Sequence, residues 1–316
     1  MSNGTTPKEQ LRLHQRVGLA ILWGISRTLH CSPRWFRFYL LRPFFILCLR
    51  LSRYRRGVIR ENLERSFPEK SRKEHRQIIR KFYSTLAEII VDTLSLAGAT
   101  PERDGAVIEW ENRDEHLMRT EGRDWIAMAS HFGCWEYFPL WCWQDQKSLF
   151  MGVYHPLKNV VFEHYYRRLR ALAPNIHQVP MKETIRYNIK NRSEERGIVL
   201  GLISDQSPNL RPDTEWFDFL NQKTAFIDGS EKIALRFKLP IYFVDSSRIS
   251  PGRYSVRFVE LYDGKEDIEP NEITRRYAEM LEAMIRRSPE LWMWSHRRWK
   301  HTPEKQAAKF GTSTLK

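Results

Sequence analysis

The stretch Trp125-Ile-Ala-Met-Ala-Ser-His-Phe-Gly-Cys-Trp-Glu136 decides how this chain is read. An apolar run of strand length ends at Ser130, His131 follows, Gly133 permits a sharp turn, and an aromatic helix is expected from Cys134. On one regular helix, residues five apart point about 140° away from each other, so His131 and Glu136 would not meet there. A strand-to-helix turn at Gly133 can bring them together at the carboxyl end of a strand, where open α/β sheets place their ligands. An imidazole beside a carboxylate can take a proton from an attacking hydroxyl while the carboxylate holds the tautomer and stabilises the imidazolium. The bland alternative is a surface His with a helix-starting Glu that only complements the helix dipole. Ser130 is a poor nucleophile, because adjacent strand residues point to opposite faces. No Gly-x-Ser-x-Gly elbow occurs in the chain.

Working outward, residues 125–129, 148–154, 198–203, 241–245 and 254–261 read as strands. Helices are expected over 134–144, 158–172, 181–191, 224–238 and 270–287. Their alternation predicts an α/β fold, a mixed and largely parallel sheet flanked by helices. Toward the amino end, 9–30 and 33–55 read as two basic-apolar helices split at Cys31-Ser32-Pro33, with Pro43 a kink or restart in the second. A linking helix follows over 57–66. Ser71-Arg-Lys-Glu74 has capping-box spacing, and Ile78, Ile79, Phe82, Leu86, Ile89, Ile90 and Leu94 recur at helical intervals, which predicts a helix over 71–97. The expected organisation is membrane-associating helices over 1–60, a catalytic domain over 61–303 and a frayed polar tail over 304–316.

Charge sharpens the role of the first sixty residues. They hold twelve Lys and Arg against Glu9 alone, so they carry eleven of the fourteen net positive charges. Arginines that interrupt Leu, Trp and Phe fit an anionic membrane surface better than nucleic acid, whose basic arms are polar. Neither apolar stretch reaches the roughly 20 residues needed to span a bilayer, so monotopic or peripheral attachment is expected, with a spanning helix as the lesser alternative. The four cysteines form no disulfide-like framework, which favours a reducing compartment. His131, Cys134 and Cys142 match no zinc spacing, and the chemistry calls for no metal or organic cofactor.

Three further segments carry candidate site residues. Asp205, in Ser204-Asp-Gln-Ser-Pro208, follows the strand at 198–203 and could share a cleft with His131, although Asp before Ser-Pro is also ordinary turn chemistry. Tyr165-Tyr-Arg-Arg-Leu-Arg170 offers a basic patch for a phosphate or an oxyanion, with a solvated helix face as the alternative. Leu291-Trp-Met-Trp-Ser-His-Arg-Arg-Trp-Lys300 places His296, Arg297 and Arg298 among aromatics, a mixture suited to a lipid head group, though Trp292 and Trp294 could be core.

Taken together, His131-Phe-Gly-Cys-Trp-Glu136, Ser204-Asp-Gln-Ser-Pro208 and Trp294-Ser-His-Arg-Arg-Trp299 resemble the bacterial lipid A biosynthesis late acyltransferases, and Asn62-Leu63 with Ser66-Phe-Pro68 resembles a further signature of that family. The resemblance runs in order from about residue 15 to 300. It implies a fold of the glycerol-phosphate acyltransferase type, an acyl carrier protein thioester as donor, and a hydroxyl on a lipid A precursor as acceptor. It also implies the cytoplasmic face of the inner membrane as the place of work. By that resemblance His131 is the base, Glu136 its partner and Asp205 a third site residue. The family's arginine maps to Arg170, with Arg168 as its rival. Another membrane lipid as acceptor, or a non-catalytic membrane or nucleic-acid binder, are the other readings.

Overall fold

The structure is a computed structural model and describes residues 11–192 and 196–311. Helices α1 (Leu13–Cys31), α2 (Arg34–Phe36) and α3 (Arg42–Leu51) lead, and a π-helical segment, Arg37–Leu41, joins the last two. That segment lies just before Pro43, which lacks the N–H that would continue an α-helical ladder. Next come α4 (Arg56–Ser66), α5 (Arg72–Leu94), α6 (Pro101–Asp104), β1 (Ile108–Trp110), α7 (Arg113–Thr120) and β2 (Trp125–Ala129). The expected capping box exists: Glu74 N–H donates to Ser71 Oγ at 3.3 Å and Ser71 N–H to Glu74 Oε2 at 2.7 Å.

The region after β2 departs from expectation. Trp135–Trp143 is a 3₁₀ helix and not an α-helix, and Pro139 lies within it, where it can neither donate to a carbonyl four residues back nor tolerate that carbonyl's approach. Then follow β3 (Leu149–Tyr154), α8 (Val160–Leu169), β4 (Ile176–Pro180), α9 (Thr184–Asn191) and β5 (Ile198–Ile203). A hairpin that the strand pattern does not announce, β6 (Phe217–Phe219) and β7 (Gln222–Thr224), turns at Leu220 and Asn221, both at positive φ. It takes the start of the helix expected over 224–238, so α10 is only Gly229–Phe237. The remaining elements are β8 (Ile241–Ser250), β9 (Arg253–Tyr262), α11 (Glu272–Arg287) and α12 (Pro303–Phe310). The last corrects the frayed tail: Thr302 caps α12, and Gln306 Nε2 donates to the carbonyls of Arg211 and Pro212. The final residues of that expected tail, 312–316, lie outside the described residues.

Seven strands form one sheet in the order β1-β9-β8-β2-β5-β3-β4. Every pairing is parallel except β8 with β9, so the sheet is mixed and largely parallel, as its alternating elements predict. β2 and β5, its centre, are buried along Trp125–Ala129 and Ile198–Leu200. One core cluster holds side chains of α4, α5, α10 and α11; the other holds those of α8 and the 3₁₀ helix.

The amino-terminal helices are bound to this core. Ser26 Oγ meets Tyr165 Oη at 2.7 Å, His30 Nδ1 meets the Ser95 carbonyl at 2.9 Å, and Arg42 Nη2 pairs with buried Glu88 at 3.1 Å. Their other sides expose Leu13, Val17, Ile21 and Ile25 on α1, a stripe with a four-residue interval, and Phe44, Leu47 and Leu51 on α3. Among the described residues no helix is long and apolar enough to cross a membrane, which removes the spanning alternative for them.

Candidate active site

β2 and β5 are neighbours in parallel register, Ala129 opposite Ile203, so the residues that follow them emerge side by side. His131 and Asp205 therefore meet although 74 positions separate them. Two features hold the turn after β2. Gly133 sits at φ +57°, and a Cβ there would come within 2.4 Å of Tyr254 Cε1, so both conformation and space demand glycine. The segment Leu291–Met293 lies against it: Gly133 N–H donates to the Leu291 carbonyl at 2.9 Å and Met293 N–H to the His131 carbonyl at 3.1 Å. Asn62 fixes the continuation of that segment, with Nδ2 on the Trp294 and His296 carbonyls at 2.8 and 2.9 Å.

Asp205 orients His131. Its Oδ1 lies 2.7 Å from His131 Nδ1, and its Oδ2 accepts the His131 backbone N–H at 3.0 Å and Trp292 Nε1–H at 2.8 Å. Burial would raise the Asp205 pKa, but the imidazole beside it and these hydrogen bonds outweigh burial and leave it below the ordinary value. An ionised carboxylate accepts only, so Nδ1 carries a proton and, in the neutral ring, Nε2 holds the lone pair. Burial lowers the His131 pKa; Asp205, through charge and hydrogen bond, with Glu136 farther off, more than reverses this, and the net shift is upward. The His131 side chain keeps 18% of its surface exposed against 2% for Asp205, so the imidazole is reachable and the carboxylate behind it is not. On the far side of the ring, Gln206 Nε2 stands 3.2 Å from His131 Nε2.

Glu136, expected on His131, is held elsewhere. Arg170 grips it with two hydrogen bonds, Nε to Oε2 at 2.8 Å and Nη2 to Oε1 at 2.5 Å, and its guanidinium also sits over the Tyr166 ring. Arg170 Nη1 makes no hydrogen bond to a described residue. The turn at Gly133 thus brings Glu136 near the imidazole as a charge but gives the Nδ1 contact to Asp205.

The other candidates separate. Arg168, the rival arginine, stacks on Trp23 of α1 with its guanidinium carbon 3.9 Å from the ring centroid, pointing toward the amino-terminal helices. Arg297 is exposed. His296 borders the site, its Nε2 3.4 Å from the Ser207 N–H, and burial lowers its pKa to about 4, so it is neutral there. Arg298, expected at a lipid head group, is instead buried, with Nη2 on the Ala225 carbonyl at 2.6 Å and its guanidinium over Phe226. Trp292, a candidate for the core, is both core and the indole donor to Asp205. Nothing in its local sequence marks that second role, since its partner is 87 positions away. Burial pushes the Cys134 thiol well up and the Cys142 thiol to about 12, which leaves both unreactive as nucleophiles.

A base with an outward lone pair, a buried carboxylate behind it and a paired arginine alongside can activate a hydroxyl and stabilise the negative charge formed when that hydroxyl attacks a carbonyl. The family model described as bacterial lipid A biosynthesis acyltransferase matches residues 6–301. No functionally curated relative matches the chain.

Proposed function

Because the chain belongs to the bacterial lipid A biosynthesis acyltransferases, enzymes that transfer acyl groups, we propose that it moves a fatty acyl chain from an acyl carrier protein thioester to a hydroxyl of a lipid A precursor. His131 Nε2 takes the hydroxyl proton as the oxygen attacks the thioester carbonyl. The tetrahedral intermediate collapses with loss of the C–S bond, and the thiolate leaves with the proton from Nε2. Asp205 keeps the other ring proton on Nδ1 and stabilises the imidazolium, the role that spacing alone suggests for Glu136. Backbone N–H groups at the start of the 3₁₀ helix after Gly133, helped by Arg170, stabilise the developing oxyanion in this scheme, and Glu136 holds the guanidinium in place.

The observation that carries this reading is the 2.7 Å contact between His131 Nδ1 and Asp205 Oδ1, which puts the ring proton on Nδ1 and the lone pair on Nε2. The exposed apolar stripes of α1 and α3, bordered by arginines, support a monotopic seat on an anionic bilayer, at the cytoplasmic face of the inner membrane where such an acceptor is made. His131→Ala should slow transfer by roughly 10² to 10⁴-fold, the range for a positioned base. Near-normal turnover by the purified variant with acyl carrier protein thioester and lipid A precursor would sink the assignment. Transfer to another lipid by the wild type, with none to the lipid A precursor, would move the acceptor and leave the base in place.

A further inference from the structure

Gln206 has no part in the transfer described so far, yet it stands at the one atom of the base that must meet substrate. Its side-chain nitrogen lies 3.2 Å from His131 Nε2. The opposite side of the ring is fully committed: Asp205 takes Nδ1, and the backbone N–H of His131 and the Trp292 indole occupy the second carboxylate oxygen. The imidazole therefore cannot turn to another partner, and whatever sits at Gln206 sits at the reacting nitrogen. Gln206 is half-buried and follows directly on buried Asp205, so the backbone that fixes the carboxylate also aims the amide.

A hydroxyl about to be deprotonated must lie within about 2.6–3.2 Å of Nε2. A hydroxyl that takes up the Nε2 lone pair meets the Gln206 amide, which rests 3.2 Å from that same atom. A hydroxyl has one O–H to give and two lone pairs. It gives the O–H to Nε2; one lone pair must point at the carbonyl carbon, and the other is left to accept a hydrogen bond. The amide N–H supplies that bond, and with both ends held the reactive lone pair has one direction. Without an acceptor lipid the same N–H rests on Nε2, so it occupies the place a water would need.

From this geometry we infer that Gln206 positions the acceptor hydroxyl, taking the resting Nε2 contact when the site is empty and passing it to the alcohol when the acceptor arrives. The inference rests on His131 as the base. It separates two reactions that share that base. Transfer to the lipid needs the hydroxyl oriented, whereas hydrolysis of the thioester by water needs only the base and an uncovered Nε2.

The test measures both reactions, in purified wild type, Gln206→Leu and His131→Ala, with acyl carrier protein thioester and with or without lipid A precursor. In Gln206→Leu, transfer to the lipid should fall by about tenfold to a hundredfold, the scale of misorientation at a reacting centre. Hydrolysis should hold or rise, with an unchanged melting temperature. Gln206→Glu should move the acid limb of the transfer profile to higher pH, since a carboxylate at Nε2 favours the imidazolium. Equal loss of transfer and hydrolysis in Gln206→Leu, or transfer within twofold of wild type, would overturn the inference for Gln206 while a dead His131→Ala still upholds the base. Normal transfer in His131→Ala would overturn both.

Discussion

Two carboxylates flank one imidazole in this site, and they have different attachments. Asp205 arrives from the neighbouring strand, is almost wholly buried and spends one oxygen on His131 Nδ1 and the other on a backbone N–H and an indole. Glu136 arrives from the same turn as His131 and spends both oxygens on Arg170. The residue nearer in sequence thus holds the arginine, and the residue 74 positions away holds the imidazole. A short interval such as His-x4-Glu places two groups in one neighbourhood, but the hydrogen bonds decide which of them is coupled to proton transfer.

The two carboxylates should differ most in kinetics. Asp205→Asn should reduce kcat by about 10²-fold or more, because the amide can hold the wrong tautomer and cannot stabilise an imidazolium. Glu136→Gln should have the smaller effect, about tenfold, felt mainly as a raised KM for the thioester because Arg170 loses its charged partner. A larger kcat loss in Glu136→Gln than in Asp205→Asn would reverse the two roles.

A finer separation comes from pH. As the proposed base, His131 acts when unprotonated, so kcat/KM should rise with pH through its folded pKa, and the upward shift places that acid limb above the ordinary imidazole value of about 6.5. Removing the Asp205 charge leaves burial to dominate and should carry the limb downward. Removing the Glu136 charge should move it the same way by less, since Glu136 contributes after Asp205. Profiles of kcat/KM for the three proteins, measured together, rank these shifts.

Much of this site is legible in the amino-acid sequence. The capping box at Ser71, the strand ending at Ala129, the glycine turn and the strand before Asp205 follow from short-range chemistry, and each lies where its residues place it. What escapes depends on distant partners or on one residue overriding a pattern. Pro139 turns an expected α-helix into a 3₁₀ one. The hairpin at Leu220 and Asn221 needs two positive φ angles that only its setting imposes. Arg298 has the local sequence of a surface cation, but the Ala225 carbonyl and Phe226 enclose it. The amino-terminal sixty residues read as a membrane-facing unit, and nothing local to them reveals that Ser26, His30 and Arg42 reach into the α/β core.

The most direct measurement is the tautomer of His131, read from ¹⁵N shifts of the histidine-labelled enzyme above the imidazole's pKa. The ring should carry its proton on Nδ1 in the wild type and in Glu136→Gln, and should lose it from that position in Asp205→Asn. A ring protonated on Nδ1 in Asp205→Asn but not in Glu136→Gln would contradict the assignment of Asp205 as the partner of His131.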